Sequence, residues 1–519
     1  MRSPGPAALI YSVSIFILGL SAVIAEPGAG DAPANTAGVA LRRSWEITPF
    51  VSLTQTFTDN VLLNDNNKTS DLVLVLSPGF QIRADSVRLK GSLNYSRREN
   101  FYANDNGRDS SQNSLDARGT LEAIDDRLFL DISGTISQQA ISAFGTQSTS
   151  TTTVNPNQTE TLNLQISPYL KGMVSDYATY EARYRTNTTE TKAGLASDYR
   201  NQDWSLNLRS AMPVYGVDWS LLGQMTSTDF GTGAPRESET FRGDFSYRLS
   251  TQLKLRAALG VEANNYLSNE SQSYASNNIG IDWSLSERSK ISITKGSEYF
   301  GDSHAIVLEH RTPLSAWKFS DTRSASALPA QFTSNSLGTS YDMFYSLFAS
   351  QEPDPAKRDK LVTDYLKANG IAANQMVNAG YLSSSITVQR RQELSMTLIG
   401  AKNTITAMAQ RVQSDRIGGT TGSGDAFANS SNIEQNGIGL TWAYRLSPHS
   451  TINMGALRNK TTSNQSDQKS NLTSLTLGLS TRLGARTNAS LSARHTDYES
   501  NVNSYKENAL VGTVTMQYH

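Results

Sequence analysis

The chain has 519 residues, a formal net charge of −1 and no cysteine. The balanced charge gives no electrostatic reason to expect nucleic acid as a partner. The lack of cysteine excludes a disulfide framework and a thiolate metal site, and it fits a chain that crosses an oxidising periplasm.

The N-terminus is predicted to be a signal peptide covering residues 1–25. Arg2 is the only charged residue before Glu26, residues 7–20 are mostly apolar, and small residues precede the expected cleavage point. The alternative, an N-terminal transmembrane anchor, would need a longer apolar run followed by stop-transfer charges. Residues 26–44 are rich in Ala, Gly and Pro and are predicted to be a flexible periplasmic leader.

The remainder of the chain alternates apolar and polar residues in segments of strand length. In one hairpin, Phe241 and Phe245 alternate with Arg242 and Asp244, and successive side chains of a strand point to opposite faces. No later stretch has the ~18 consecutive apolar residues of a spanning helix. If the mature chain lies in a membrane, it must therefore be a closed barrel, because lipid admits only helices and closed sheets.

The connections between these segments alternate in length. Short turns are predicted at 84–86, 125–126, 250–252, 286–289, 391–392, 447–450 and 484–487, and long polar loops at 59–70, 142–158, 229–239, 412–431 and 462–471. Outer-membrane barrels have this arrangement, with short periplasmic turns and long external loops. We predict an all-β fold over residues 45–519, a transmembrane antiparallel β-barrel of about 20–22 strands, with 22 favoured because the count is expected to be even.

Residues 327–377 break the alternation. Apolar residues at helical spacing, an N-cap at Asp354 and a stop at Gly370 predict a small helical insertion near 338–370. Two interpretations stay open for this insertion. It is either an extracellular loop decoration or a plug inside the barrel.

A secreted β-solenoid or a two-sheet adhesin would alternate as well. A soluble sheet needs a covered apolar face, and a solenoid shows a fixed repeat period; the sequence provides neither. The C-terminal strand favours the barrel, because its apolar alternation ends in an aromatic residue and resembles the signal read by the barrel assembly machinery, although His519 follows. Its residues are Leu510, Gly512, Val514, Met516 and Tyr518. We expect an exported protein of the Gram-negative outer membrane, with membrane lipid and the assembly machinery as partners.

Charged residues that alternate with apolar ones are predicted to face the lumen, because a charge on the lipid face costs about 2–4 kcal/mol at mid-depth. The predicted lumen-facing residues are Arg88, Lys90, Arg242, Asp244, Arg248, Arg256, Glu262, Arg445, Arg482 and Arg494. One interpretation is a hydrated structural interior with paired charges. The other is a path that holds water and a hydroxyl-rich glycan by hydrogen bonds.

An enzyme is not expected. A barrel-embedded hydrolase would need a nucleophile within hydrogen-bond reach of a histidine, and the nearest arrangement is His495 with Ser492 and Asp497. Ser492 would lie on the opposite face of a strand from His495. We therefore predict no catalytic residues, no cofactor and no metal site.

Five short motifs occur in order along the chain: TDNV at 58–61, SPG at 77–79, LFASQ at 347–351, PDP at 353–355 and GAKNT at 400–404. Together they resemble the outer-membrane β-barrel family associated with the PEP-CTERM system of Gram-negative bacteria. The resemblance implies a porin-like, non-catalytic component of exopolysaccharide biosynthesis, export or secretion across the outer membrane, with exopolysaccharide and its export apparatus as further partners. The alternative function is a structural or adhesive surface barrel.

Overall fold

The computed structural model describes residues 45–192, 198–230, 234–268, 270–326, 345, 348, 358–359, 361–363, 380–418, 426–464 and 466–518. The strands, numbered in chain order, are β1 (Trp45–Thr58), β2 (Asp71–Asp85), β3 (Leu89–Tyr102), β4 (Ser110–Ile124), β5 (Leu128–Ala140), β6 (Gln158–Val174), β7 (Ala178–Thr191), β8 (Tyr199–Ser210), β9 (Val217–Asp229), β10 (Arg236–Arg248), β11 (Leu253–Asn264), β12 (Gln272–Ser286), β13 (Ser289–Glu298), β14 (Gly301–Arg311), β15 (Ser315–Ser326), β16 (Ile386–Ile399), β17 (Asn403–Gly418), β18 (Asn432–Ser447), β19 (Ser450–Thr462), β20 (Lys469–Arg482), β21 (Thr487–Ser500) and β22 (Tyr505–Gln517). One turn of 3-10 helix covers Asn106–Arg108. The predicted signal peptide and leader lie outside the described residues.

The strands form one closed 22-stranded antiparallel barrel. Each strand pairs with its neighbours in sequence, and β1 pairs with β22 to close the sheet. Beyond the last pair of the ladder, the Tyr518 amide donates a hydrogen bond of 2.8 Å to the Pro49 carbonyl. The predicted barrel class and the favoured strand number are confirmed. Within the described part of the chain, no helix is long and apolar enough to cross a membrane.

The two ends of the barrel differ in the length of their connections. At the end where β1 begins and β22 ends, the connections are short, the longest being 211–216. The other end carries most of the long connections, including 59–70, 141–157 and 327–385. By the rule for outer-membrane barrels, the short connections are periplasmic and the long ones extracellular.

The two faces of the sheet differ in polarity. One face exposes large apolar side chains such as Phe241 and Leu259, which are 63% and 67% exposed. We call this the outer face. The opposite face, the inner face, carries polar residues and contacts the loop 141–157, for instance through Tyr498 and Tyr505. A closed barrel with an apolar outer band belongs in the outer membrane of a Gram-negative cell.

One predicted turn is wrong. Arg391 and Gln392 lie in the middle of β16, and the turn instead occupies 400–402, where the Gly400 amide donates to the Asn403 carbonyl at 2.6 Å. The error arose because residues 389–393 are polar on both faces, so the alternation that marks a strand is lost there. β16 therefore runs without a break from Ile386 to Ile399.

Candidate functional site: the inner wall of the barrel

The structure separates the predicted lumen-facing residues into three groups. On the inner face of the strands lie Lys90, Arg242, Asp244, Arg256, Glu262 and Arg494. At the periplasmic ends of strands lie Arg248, Arg445 and Arg482. Arg88 lies in the turn 86–88, where its Nη2 atom is 2.7 Å from Asp125 Oδ1. The Arg482 guanidinium donates to the carbonyls of Gly484 and Ala485, both at 3.0 Å, so it holds its own turn.

A series of ion pairs follows the inner face of β9 to β13. Lys254 Nζ lies 3.5 Å from Asp218, and Arg242 Nε lies 3.1 Å from Asp244. Arg256 is 2.9 Å from Asp282 and also donates to the hydroxyls of residues 292 and 294. Each of these charged side chains therefore has a partner of opposite sign on its own or a nearby strand.

A cavity of about 910 Å³ borders this part of the inner face, from β8 to β16. Its lining begins near the periplasmic strand ends at Arg209, Asp218 and Lys254. It reaches the extracellular strand ends at Glu298 and Ser303. The cavity therefore follows the strands over most of their length. We call this part of the inner face the open wall.

Three tyrosines stand at the extracellular end of the open wall. The ring of Tyr299 lies 5.5 Å from that of Tyr266 and 6.2 Å from that of Tyr274, and Glu298 beside Tyr299 lines the cavity. Tyr266 lies in the connection between β11 and β12, where burial raises its pKa to about 12. Its hydroxyl is therefore neutral at neutral pH, and its ring packs in the aromatic cluster at this end of the wall.

A different arrangement covers the inner face of β20 to β22 and β1 to β3, which we call the packed wall. The loop 141–157, between β5 and β6, folds into the barrel and contacts these strands. Tyr498 donates to the Gly145 carbonyl at 2.8 Å, Tyr505 to the Gln147 carbonyl at 2.6 Å, and Tyr102 to the Thr152 carbonyl at 2.9 Å. These tyrosines fix the loop across the lumen.

The packed wall also holds a buried ion pair. Glu507 is 1% exposed, and its carboxylate lies 3.1 Å from Arg494 Nη2. The hydroxyl of Thr58 donates to the same carboxylate at 2.9 Å. Sequence reasoning predicted a lumen position for Arg494 but missed Glu507, Tyr498 and Tyr505. Their position in alternating strands could have indicated the inner face, but nothing local indicated their partners.

Described residues of the helical insertion lie inside the barrel. Val362 is fully buried and packs in a cluster with Phe348 and Ala443, and Ala443 lies near the periplasmic end of β18. Asp359 lies 3.7 Å from Arg83 of β2 and 3.7 Å from Arg118 of β4. The insertion thus contacts two separated parts of the wall towards the periplasmic end, which favours the plug over the extracellular decoration.

The predicted assembly strand coincides with β22. Leu510, Val514, Met516 and Tyr518 are exposed on the outer face, and Gly512 pairs with Gln55 of β1. Recognition of these residues by the barrel assembly machinery stays a prediction. His495 also lies on the outer face, with Nδ1 2.8 Å from Asn508 Oδ1, and it alternates with Ser492 on the inner face.

The barrel is similar to solved outer-membrane receptors. The FrpB iron transporter of Neisseria meningitidis aligns with a TM-score of 0.48 and 11% identity over 92% of this chain and 82% of that one. The import receptor Fiu of Escherichia coli K12, a ferric-catecholate receptor, gives 0.47 and 9% over 90% and 81%. The siderophore receptor PirA of Pseudomonas aeruginosa gives 0.44 and 8% over 91% and 80%. No family model matches the chain, and no curated protein matches it at a significant level. At these identities the likeness concerns the barrel fold alone.

The family expectation is corrected by these findings. The barrels to which the chain is similar are siderophore receptors and iron transporters, and no family model supports membership of the PEP-CTERM-associated family. The expected role in exopolysaccharide export and the alternative adhesive role are wrong, and the exopolysaccharide partners have no support. The five motifs on which the resemblance rested are short, and GAKNT spans a turn and the start of β17.

Proposed function

We propose that the chain is a non-catalytic outer-membrane barrel that lets small polar solutes pass along its open wall. The observation that carries this proposal is the cavity of about 910 Å³, whose lining extends from the periplasmic to the extracellular ends of the strands. Such a path needs polar groups along its whole length, because a solute loses part of its hydration shell on entry. The hydroxyls and alternating charges of the open wall are groups of this kind.

The charge pattern supports a polar solute over an apolar one. Arg242, Asp244 and Arg256 line the cavity and are each about two fifths exposed, so part of their hydrogen-bonding capacity faces it. Because the two signs are mixed, the wall has no strong preference for either sign of ion. Neutral or zwitterionic hydroxyl- and amide-bearing solutes fit this wall better than highly charged ones.

The absence of cysteine from the chain allows a direct test. We would place single cysteines at Ser246 and Thr322, which line the cavity on the open wall, and at Thr496, which is fully buried on the packed wall. The purified barrels would be inserted into planar bilayers and exposed to a charged, water-soluble thiol reagent.

We expect the wild-type barrel to conduct ions. The reagent should reduce the conductance of the Ser246→Cys and Thr322→Cys barrels and leave the Thr496→Cys barrel unchanged. Liposomes containing the wild-type protein should swell in solutions of small polar solutes. A barrel that neither conducts nor admits such solutes, or whose three cysteines react equally, contradicts the proposed passage.

A further inference from the structure

A row of basic side chains crosses four neighbouring strands on the outer face. The strand register pairs Lys295 of β13 with His304 of β14, His304 with Arg323 of β15, and Arg323 with Arg390 of β16. Apolar outer-face pairs such as Phe319 with the residue at 394 lie further towards the periplasm on the same strands. Sequence reasoning assigned charged strand residues to the lumen, and this row is an exception.

One carboxylate organises the row. Asp321 accepts from Arg390 Nε at 3.1 Å and from Arg390 Nη2 at 2.7 Å. Its other partners are His304 Nε2 at 3.0 Å and Gln392 Nε2 at 2.9 Å. The side chain of Asp321 is only 9% exposed, whereas that of Arg390 is 43% exposed. The acid is therefore covered, and the guanidinium presents its remaining edge to the surroundings.

The rest of the row lacks such compensation. Among the described residues, neither Lys295 nor Arg323 forms an ion pair. The Arg323 guanidinium donates to the Asp302 carbonyl and lies 5.5 Å from the centre of the Phe300 ring. Like charges directly opposite each other destabilise a sheet. An anion held between these side chains would remove that cost.

The height of the row on the barrel identifies its surroundings. β15 begins at Ser315 near the periplasmic end, and strands rise about 3.4 Å per residue. With the usual tilt of about 35–45°, Arg323 lies roughly 20 Å above that end, near the extracellular edge of an apolar band about 25 Å tall. Lipid headgroups of the outer leaflet occupy this level.

We propose that Lys295, His304, Arg323 and Arg390 form a binding site for the phosphate groups of an outer-leaflet lipid. Arginine and lysine in a row can hold phosphate oxygens through several charge-assisted hydrogen bonds, and the neighbouring apolar band accommodates the acyl chains. The distribution of charge selects this side of the barrel. Five strands before β13 in the sheet, on β8, the outer-face Arg200 is paired in register with Asp229 of β9, and Glu237 and Glu239 lie on β10 next to Asp229.

The test uses the full-length purified barrel in phosphatidylcholine nanodiscs to which diphosphorylated lipid A is added. Native mass spectrometry then measures how much lipid A the protein retains. The test variant is Lys295→Gln with Arg323→Gln, because neither residue forms an ion pair with any part of the chain that the structure describes, and the Asp321 cluster remains intact. Arg200→Gln, which removes an outer-face arginine outside the row, is the matched control.

The wild type and Arg200→Gln should retain lipid A equally and in preference to phosphatidylcholine. The double variant should lose roughly ten-fold in apparent affinity, in keeping with the loss of two charge-assisted contacts. Heat-modifiable migration on gels would show that each variant forms the barrel. Equal retention by the double variant and the wild type, or equal retention of lipid A and phosphatidylcholine by the wild type, overturns the proposal.

Discussion

The open wall and the packed wall carry the same kinds of residues in different surroundings. On the open wall, Arg256 and Asp282 lie 2.9 Å apart and remain 39% and 36% exposed. On the packed wall, Arg494 and Glu507 lie 3.1 Å apart and are 14% and 1% exposed. An exposed pair is screened by water and contributes little, whereas a buried pair becomes costly when one partner is removed. Charges of the first kind are available to solutes, and charges of the second kind hold the structure.

The largest expected effect comes from removing Glu507. Glu507→Ala leaves Arg494 buried without its partner and the Thr58 hydroxyl without its acceptor, so the barrel should lose about 3–5 kcal/mol of stability. Asp282→Ala on the open wall should cost at most about 1 kcal/mol. Urea unfolding in detergent micelles, followed by tryptophan fluorescence, measures both. Similar losses in the two variants would mean that the two walls do not differ in the way described.

A somewhat smaller effect is expected between the two faces of β11, one of the strands that carry the open wall. Leu255 lies on the outer face and Arg256 beside it on the inner face. Leu255→Lys places a charge against lipid two residues from the periplasmic end of β11. Its cost is below the ~2–4 kcal/mol of a charge at mid-depth, but it should lower the yield of assembled barrel. Arg256→Ala removes a half-exposed pair and should leave assembly intact.

Heat-modifiable migration of the membrane fraction gives the assembled share of each variant. Leu259→Lys serves as a second outer-face variant, because Leu259 is also exposed on that face. If Arg256→Ala impaired assembly as strongly as Leu255→Lys, the inner position of Arg256 would be excluded.

The barrel itself was predictable from the sequence because its signal is local. Successive side chains of a strand point to opposite faces of the sheet. The alternation of apolar and charged residues, as at Phe241 and Arg242, therefore indicates which face each residue occupies without knowledge of its partners. The same rule failed where both faces are polar. Arg391 and Gln392 were predicted to be a turn, yet Arg391 pairs with Glu393 at 3.1 Å on one face and Gln392 contacts Asp321 on the other.

The division into two walls was not predictable, because it depends on contacts between distant parts of the chain. The loop 141–157 is rich in Ser and Thr and was predicted to be a hydrated external loop. Its position inside the barrel depends on Tyr498 and Tyr505, which follow it by more than 350 residues. Likewise, no local pattern indicates that Asp359 meets Arg83 and Arg118.

The smallest expected effect concerns Asp359, the contact between the helical insertion and the wall at β2 and β4. Its carboxylate is 31% exposed and lies 3.7 Å from each arginine, so each ion pair contributes roughly 0.2–1 kcal/mol. Asp359→Ala should leave assembly unchanged and raise single-channel conductance, because the insertion loses its hold on that side of the lumen. Thr363→Ala is the control, since Thr363 is exposed and its hydroxyl donates to the Asp359 carbonyl. If conductance is the same in both variants and the wild type, the Asp359 contact does not narrow the solute path.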